Sequence, residues 1–515
     1  LENKLGTQNT CQLSQLVQEI QHAQLLVDTC NYDAQHEIQI ADITFDSRKV
    51  FPGALFICKG ANFKVEYLLN AIAAGAVAYL SETRYDVPIP GIITSNTRLA
   101  MAVAARKFFA YPDQKLHLIG VTGTKGKSTT VYMVKAVLDA ALAASGKAPC
   151  GLLSGIEIFD GATTKEAHLT TEESVELLRI LAECVKNGVT HCVIEVSSQA
   201  LKYGRVAGIE FDICSFANIG FDHISPVEHP DFADYLESKL KIAEQTKDFI
   251  YSLEMDQLTA VEAKVNAIGV HAHTISGADG NRGEFVISDI LAGSSGAKFQ
   301  LNGHPYEITM PGTYNVENAA VAIACGLISG VTPEDIAAGL RDVAVPGRSE
   351  LLSTADGKIH FFVDYAHNAL SFEKALQSLH ELYPAAKIIT LFGAPGNKAY
   401  NRRIDLPQVA EKYSEAIYII PEDTGTEDVQ KIAYEVVQNI QTSIRTEIYD
   451  DREAGIQIAF QKELDLLKEG AQREIVFFVA GKGRENFMKV NGGYEPYIGD
   501  HRVAQDLIRA YASKK

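Results

Sequence analysis

Residues 118–140 read LIGVTGTKGKSTTVYMVKAVLDA. An apolar run of strand character breaks into glycines and a Lys-Ser-Thr, then resumes as a run with helical spacing of its apolar residues. Gly120, Gly123 and Gly126 let backbone N–H groups turn toward a phosphate, and the N-terminus of the following helix adds positive potential. Lys127 can then reach the terminal phosphates and Ser128 can ligate Mg²⁺. The strict pattern G-x-x-x-x-G-K-[ST] is not met: Val121 stands at its first position, and the glycine falls one residue earlier, at Gly120. Strand, glycine loop and helix in that order nevertheless predict nucleotide binding over a turn with a surface lysine.

Outward from this loop the chain separates into three blocks. Residues from about 37 to 112 alternate short strand-like runs (ALFIC, AVAYLSE, GIIT) with a helical run, YLLNAIAAGA, and the turn YPDQK then marks a boundary near residue 115. The middle block holds HCVIEVSS and DICSFANIG between helical stretches, an alternation that predicts a mostly parallel sheet with crossover helices. After VPGRSE a third series follows: IHFFVDYAH, KIITLFGAPG, EAIYIIPED and EIVFFVAGKG, each with glycine or polar residues at its end, where ligands sit in open parallel sheets. The expected fold is therefore α/β in three domains, at residues 1–115, 116–345 and 346–515. A chain of 515 residues fits that count.

Composition narrows the function. With 46% hydrophobic and 22% charged residues, the chain reads as a soluble globular protein. No run of about 18 apolar residues is present to span a bilayer. The net charge of −18 argues against a nucleic-acid surface. The N-terminal LENKLGTQNTCQLSQLVQEI lacks a basic-then-apolar signal pattern, and the eight cysteines form no C-x-x-C pair. Reduced thiols and a cytoplasmic location are the expectation.

GVTGTKGKST is similar to the ATP loop of the Mur ligases, cytoplasmic enzymes that build the peptide stem of peptidoglycan. Further segments resemble the same family in order: ITFDSRKVFPGALFICKGANFKVEYLLNAIAAGA, TTEES, EVSSQALKYGRV, FDHISPVEHPDFADYLESK, PGTYNVENA, VPGRSE, VDYAHN and GKGRENF. The first looks like the UDP-binding domain of the member that adds the third stem residue. The resemblance implies a small N-terminal α/β UDP-binding domain, a P-loop ATPase-like centre and a Rossmann-like C-terminal domain.

It also implies roles, residue by residue. Gly123, Thr124, Lys125, Gly126, Lys127, Ser128 and Thr129 would hold ATP, with Asn315 and Asn318 reading the base and Arg348, Asp364 and His367 reaching in from the third block. Lys127, Glu195, His223 and Lys239 would form the catalytic set. Ser128, Glu195, His223 and Lys239, the last as its carbamate, would hold Mg²⁺, with two sites. Lys241 competes with Lys239, but the spacing from Tyr235 favours Lys239. Seen alone, these are residues of ordinary solvated or capped surfaces, and His223 a hydrogen-bonded structural histidine. Ser47, Arg48, Thr170, Thr171, Ser197 and Arg205 match positions for the UDP-sugar peptide, whereas Gln199 stands where many relatives have His.

For the amino acid, the implied residues are Arg403, Glu422, Asp423, Thr424, Gly425, Gly481 and Glu485. Diaminopimelate-adding members carry D-N-P-R where this chain has Glu422 to Gly425, so the arginine that would grip a second carboxylate is absent. The resemblance points to ATP-dependent addition of L-lysine to UDP-N-acetylmuramoyl-L-alanyl-D-glutamate by a cytoplasmic monomer, through an acyl phosphate. meso-Diaminopimelate and L-ornithine stand as alternatives, and Gly425→Arg is expected to shift the choice toward diaminopimelate. A folylpolyglutamate synthase-like ligase is the remote alternative, and a non-catalytic nucleotide-binding protein the rival of another class.

Overall fold

A computed structural model describes residues 9–60, 62–225, 228–277, 282–293, 296–468 and 473–513. The first eight residues of the polar N-terminal stretch, Ala61 of GANFKVEYL, and Pro226 and Val227 of FDHISPVEHP lie outside them.

Three sheets follow one another along the chain. The first has five strands in the spatial order Leu26–Cys30, Gly91–Thr94, Ala76–Ser81, Ala54–Ile57, Asp42–Thr44, parallel except for the first. Ala54–Ile57 is buried throughout, which is why it reads as an unbroken apolar run. Helix Leu13–His22 presents Leu13, Leu16, Val17 and Ile20 on one face, and these pack with Leu55, Leu80 and Met101. The same core runs on through Phe108 and Phe109 to Leu118 and Leu181 of the middle block, so the first two blocks share apolar packing.

The second sheet has eleven strands. Its centre is parallel, in the order Gly151–Leu153, His191–Glu195, His117–Thr122, Phe211–Phe216, Thr246–Ser252, His271–Gly277, Phe285–Gly293. Antiparallel strands extend both edges: Glu157–Phe159 and Thr164–Glu166 at one, Gly296–Leu301 and His304–Ile308 at the other. Strand His117–Thr122 feeds the glycine loop, and helix Lys127–Ala144 begins directly after Gly126. That helix buries Val131, Val134, Val137 and Leu138 with Ala319, Ile323 and Ile336.

The third sheet runs Glu350–Ser353, Ile359–Asp364, Ile475–Ala480, Lys387–Phe392, Ala416–Ile419, Arg445–Ile448, parallel except for its first strand. Its four inner strands are the four expected from the sequence. Ile475–Ala480 is buried at every position, as a central strand covered on both faces must be. Their carboxyl ends carry Tyr365, Gly393, Glu422 and Lys482. Among the described residues no helix is long and apolar enough to cross a membrane, and all eight cysteines are free.

Candidate active site

The glycine loop, the end of strand His191–Glu195 and the carboxyl edge of the third sheet line one cleft, with a cavity volume of ≈ 320 Å³. Gly126 has φ +77°, and a Cβ there would lie 2.2 Å from Asn318 Oδ1, so this turn requires glycine. Lys127 Nζ donates to the loop carbonyls of Gly123 (3.1 Å) and Thr124 (3.3 Å), which poises an ammonium at the loop mouth. Ser128 Oγ donates to Glu195 Oε2 at 3.0 Å, and the same carboxylate oxygen accepts from Gly155 N at 2.9 Å. Hydroxyl and carboxylate are hard oxygen donors side by side, a set that fits Mg²⁺. His223 lines the same cleft, with Nδ1 2.9 Å from Glu228 Oε1.

Lys239 is 1% exposed at the end of helix Phe232–Leu240. Its Nζ donates to Gly123 O at 2.7 Å. No carboxylate lies within salt-bridge distance among the described residues. Burial, reinforced by Lys127, holds its pKa well below the ordinary lysine value. A neutral amine in that position fits capture of CO₂ as a carbamate.

Arg348 ties the third block to the loop: its Nη2 donates to Ser128 Oγ at 3.3 Å, and its guanidinium lies over the Tyr365 ring at 4.4 Å from the centroid. A second, smaller cavity adjoins, bordered by Thr129, Asn318, Arg348, Asp364 and His367. Asn318 therefore borders space for a base, while Asn315 does not: its amide donates to Pro311 O at 2.7 Å and its Oδ1 accepts from Asn318 Nδ2 at 3.1 Å. Asp364 accepts from the backbone N–H groups of Ser349 and Ala366, both at 2.6 Å, and thereby holds the Arg348 turn in shape.

Of the residues matched to the UDP-sugar peptide, Thr170, Ser197 and Arg205 line the cleft. Thr171 is buried beneath it, donating to Glu195 O at 2.8 Å and accepting from Ser197 N at 2.9 Å. Ser47 and Arg48 are not brought to this cavity. Arg48 is 87% exposed and pairs with Asp46 of its own loop at 2.8 Å. Gln199 lines the cleft, with its amide 3.4 Å from Glu228 Oε1.

On the amino-acid side, Glu422, Asp423, Gly481 and Glu485 line the cleft. Glu422 is 7% exposed and its Oε2 has no hydrogen-bond partner. Burial, helped by Asp423 and opposed by Arg402, pushes its pKa up to about 7. Asp423 accepts from Lys482 Nζ at 2.8 Å, and Lys482 also pairs with Glu485. Arg403 is a correction to the sequence-based expectation. It is buried outside the cleft lining, and its guanidinium is taken up by Glu427, Glu435 and Pro395 O. The neighbouring Arg402 lines the cleft instead, because successive helical residues point about 100° apart. Thr424 and Gly425 also stand outside the lining, in the loop beneath it.

Sequence reading passed over Asp222, which is buried and contacted from both sheets. Lys125 Nζ lies 3.1 Å away, Asn368 Nδ2 2.5 Å and Arg402 Nη2 3.5 Å. Burial alone would raise its pKa, but Lys125, His223 and Arg402 together hold it well below the usual carboxylate range. Lys482 was passed over likewise. The only signal for either was position, within FDHI and GKGRENF.

The family described as Mur ligase middle domain matches residues 121–326, and the Mur ligase, glutamate ligase domain matches residues 347–483. A UDP-N-acetylmuramoyl-L-alanyl-D-glutamate--L-lysine ligase from Streptococcus thermophilus is 37% identical over 471 residues, 90% of this chain and 92% of that protein. The ligase of the same description from Enterococcus faecalis is 36% identical, over 92% and 93%. A UDP-N-acetylmuramyl-tripeptide synthetase from Lactococcus lactis is 35% identical over the same shares. The fold is also that of a solved UDP-N-acetylmuramoyl-L-alanyl-D-glutamate--2,6-diaminopimelate ligase, with TM-score 0.63 and 23% identity, covering 92% of this chain and 95% of that one. A folylpolyglutamate synthase from Mycobacterium tuberculosis gives TM-score 0.62 at 15% identity, covering 80% and 95%.

Proposed function

This chain belongs to the Mur ligase family, and from that premise we propose that it joins L-lysine to the D-glutamate side-chain carboxylate of UDP-N-acetylmuramoyl-L-alanyl-D-glutamate, converting ATP to ADP and phosphate. The observation that carries this reading is one cleft holding Lys127, Ser128 and Glu195 on one wall and Glu422, Asp423 and Lys482 on the other. Residues 1–115 would bind the UDP-sugar, 116–345 ATP and 346–515 the amino acid, a division supported by the three sheets. We infer a cytoplasmic monomer, without nucleic-acid or membrane partners.

Lys127 would hold the γ-phosphoryl group while a carboxylate oxygen of the acceptor attacks phosphorus and ADP leaves. The incoming amine would then attack the acyl carbon, lose a proton and expel phosphate, leaving the amide. Mg²⁺ held by Ser128, Glu195, His223 and the Lys239 carbamate, in two sites, would neutralise phosphate charge. Arg348 would follow charge movement from the third sheet, and a cleft shared by two sheets would align the reactants and limit water.

Glu422 favours lysine. A buried carboxylate lacking a hydrogen-bond partner suits an ammonium and repels a second carboxylate. ADP release with the UDP-dipeptide and single amino acids tests the proposal. A kcat/KM for meso-diaminopimelate at or above that for L-lysine would overturn the substrate assignment, L-ornithine being the closer competitor. Release that does not need the UDP-sugar would favour the folylpolyglutamate-like alternative.

A further inference from the structure

The amino edge of the central sheet, opposite the edge that carries the glycine loop, gathers two histidines and two carboxylates. Strands Thr246–Ser252 and His271–Gly277 are parallel with Asp248 paired to His271. Side chains alternate along a strand, so His271 and His273 share a face, and the pairing puts Asp248 on that face too. His271 Nδ1 lies 2.5 Å and His273 Nε2 3.0 Å from the same atom, Asp248 Oδ1. The other nitrogen of His273, Nδ1, lies 2.8 Å from Oε2 of Glu284, which immediately precedes strand Phe285–Gly293.

We propose that Asp248, His271 and His273 form a binding site for a divalent transition-metal ion of the zinc class, with Glu284 as the residue that positions His273. Two imidazole nitrogens and one carboxylate oxygen suit zinc and its neighbours, whereas Mg²⁺ and Ca²⁺ prefer oxygen alone. Ligands about 2.0–2.1 Å from a tetrahedral zinc stand about 3.3 Å from one another. The His273–Asp248 pair is close to that spacing already. The His271–Asp248 pair opens to that spacing by a shift of less than about 1 Å, the ligand atoms of all three residues lie within 4.8 Å of one another, and the His271 ring is free to adjust at 73% exposure. His273 is only 9% exposed and is held by the Glu284 carboxylate, the arrangement that fixes the orientation of a metal-bound imidazole. Neither Asp248 nor Glu284 has a lysine or arginine within salt-bridge distance among the described residues, so their charge is left for a cation. Three protein ligands leave coordination open to water. Nothing in the catalytic reading uses these residues.

The test is calorimetric titration of the chelator-treated full chain with Zn²⁺ in excess Mg²⁺. One equivalent should bind, and His271→Gln, His273→Gln and Asp248→Asn should each weaken that step by roughly tenfold or more. Glu284→Gln should weaken it by a similar factor through His273, and His273 bound to Co²⁺ should give a visible absorption band that Glu284→Gln shifts. Glu195→Gln, which removes an oxygen donor of the cleft, should leave the step intact. His271 is exposed, so its variant tests the site without disturbing the core. Undiminished zinc affinity in His271→Gln, or loss of the step in Glu195→Gln alone, would overturn the proposal.

Discussion

Asn368 Nδ2 donates to Asp222 at 2.5 Å across the seam between the central and the third sheet. The carboxylate it meets is 2% exposed and also faces Lys125 and Arg402, so one buried anion joins the glycine loop to the opposing wall. Asp222→Ala removes the partner of the buried Arg402 and of the half-buried Lys125, at a cost of about 3 kcal/mol. The depressed pKa means that this stabilisation is present above the unfolded-state value and is lost as pH falls through the folded one. Thermal unfolding should show a large loss for Asp222→Ala at neutral pH, shrinking in acid, and ADP release should fall with it. A variant as stable as wild type at neutral pH would count against the seam.

Lys127→Ala should abolish ADP release, by roughly 10²-fold or more, while leaving the fold intact. Its ammonium bonds only to loop carbonyls, which water can satisfy. Near-wild-type turnover from a folded variant would remove Lys127 from the mechanism.

Lys239→Ala should be nearly inactive and partly rescued by formate or acetate, small anions that can replace a carbamate. Because burial lowers the Lys239 pKa, its ammonium is disfavoured in the fold. The strain it adds is greatest below the folded pKa and vanishes above the ordinary lysine value. A mass increase matching one CO₂ on the intact chain checks the modification directly. Full activity of the alanine variant would exclude it.

Glu422 should make lysine use pH-dependent. Its pKa near 7 implies that the carboxylate ionises across neutrality, so KM for L-lysine should fall as pH rises through about 7. The folded state binds the extra proton, so stability from this group declines as pH rises from the ordinary glutamate value to about 7. Glu422→Gln should raise KM, flatten the profile, and leave the free protein no less stable at pH 8. An unchanged KM profile in that variant would dismiss Glu422 as the ammonium partner.

Residues such as Gly126 and Lys127 were legible because their geometry is local: a turn of that shape needs glycine, and a helix start faces whatever the loop encloses. The inner strands of the third sheet were legible because burial on both faces leaves unbroken apolar runs. Strand Thr164–Glu166 was not, since it is exposed at every position and carries no apolar signal. Asp222, Arg402 and Lys482 were missed for a different reason. A charged residue in a sequence reads as surface, and only the meeting of distant segments buries it. Arg402 and Arg403 show the limit most closely: adjacent and identical, they differ only in which helix face meets the cleft.

At Gly425 the backbone opposes the exchange for arginine. Its φ is +61°, and a Cβ there would lie 2.2 Å from Asn397 Oδ1, an oxygen that accepts from Thr426 N at 2.8 Å and from its hydroxyl at 3.1 Å. The Gly425 N–H donates to Lys489 O at 3.0 Å and its carbonyl accepts from Asn491 N at 2.6 Å, so the loop cannot simply rotate. An arginine at 425 therefore meets left-handed strain of about 1–2 kcal/mol before its guanidinium reaches any ligand. Displacing Asn397 adds about 0.5–1.5 kcal/mol for each hydrogen bond lost. Gly425→Arg should thus lower the melting temperature and reduce kcat/KM for L-lysine without a matching gain for meso-diaminopimelate. Gly425→Ala, which brings the strain without the charge, should reproduce most of the same stability loss. A Gly425→Arg enzyme as stable as wild type that prefers diaminopimelate would restore the simple exchange of one pocket residue for another.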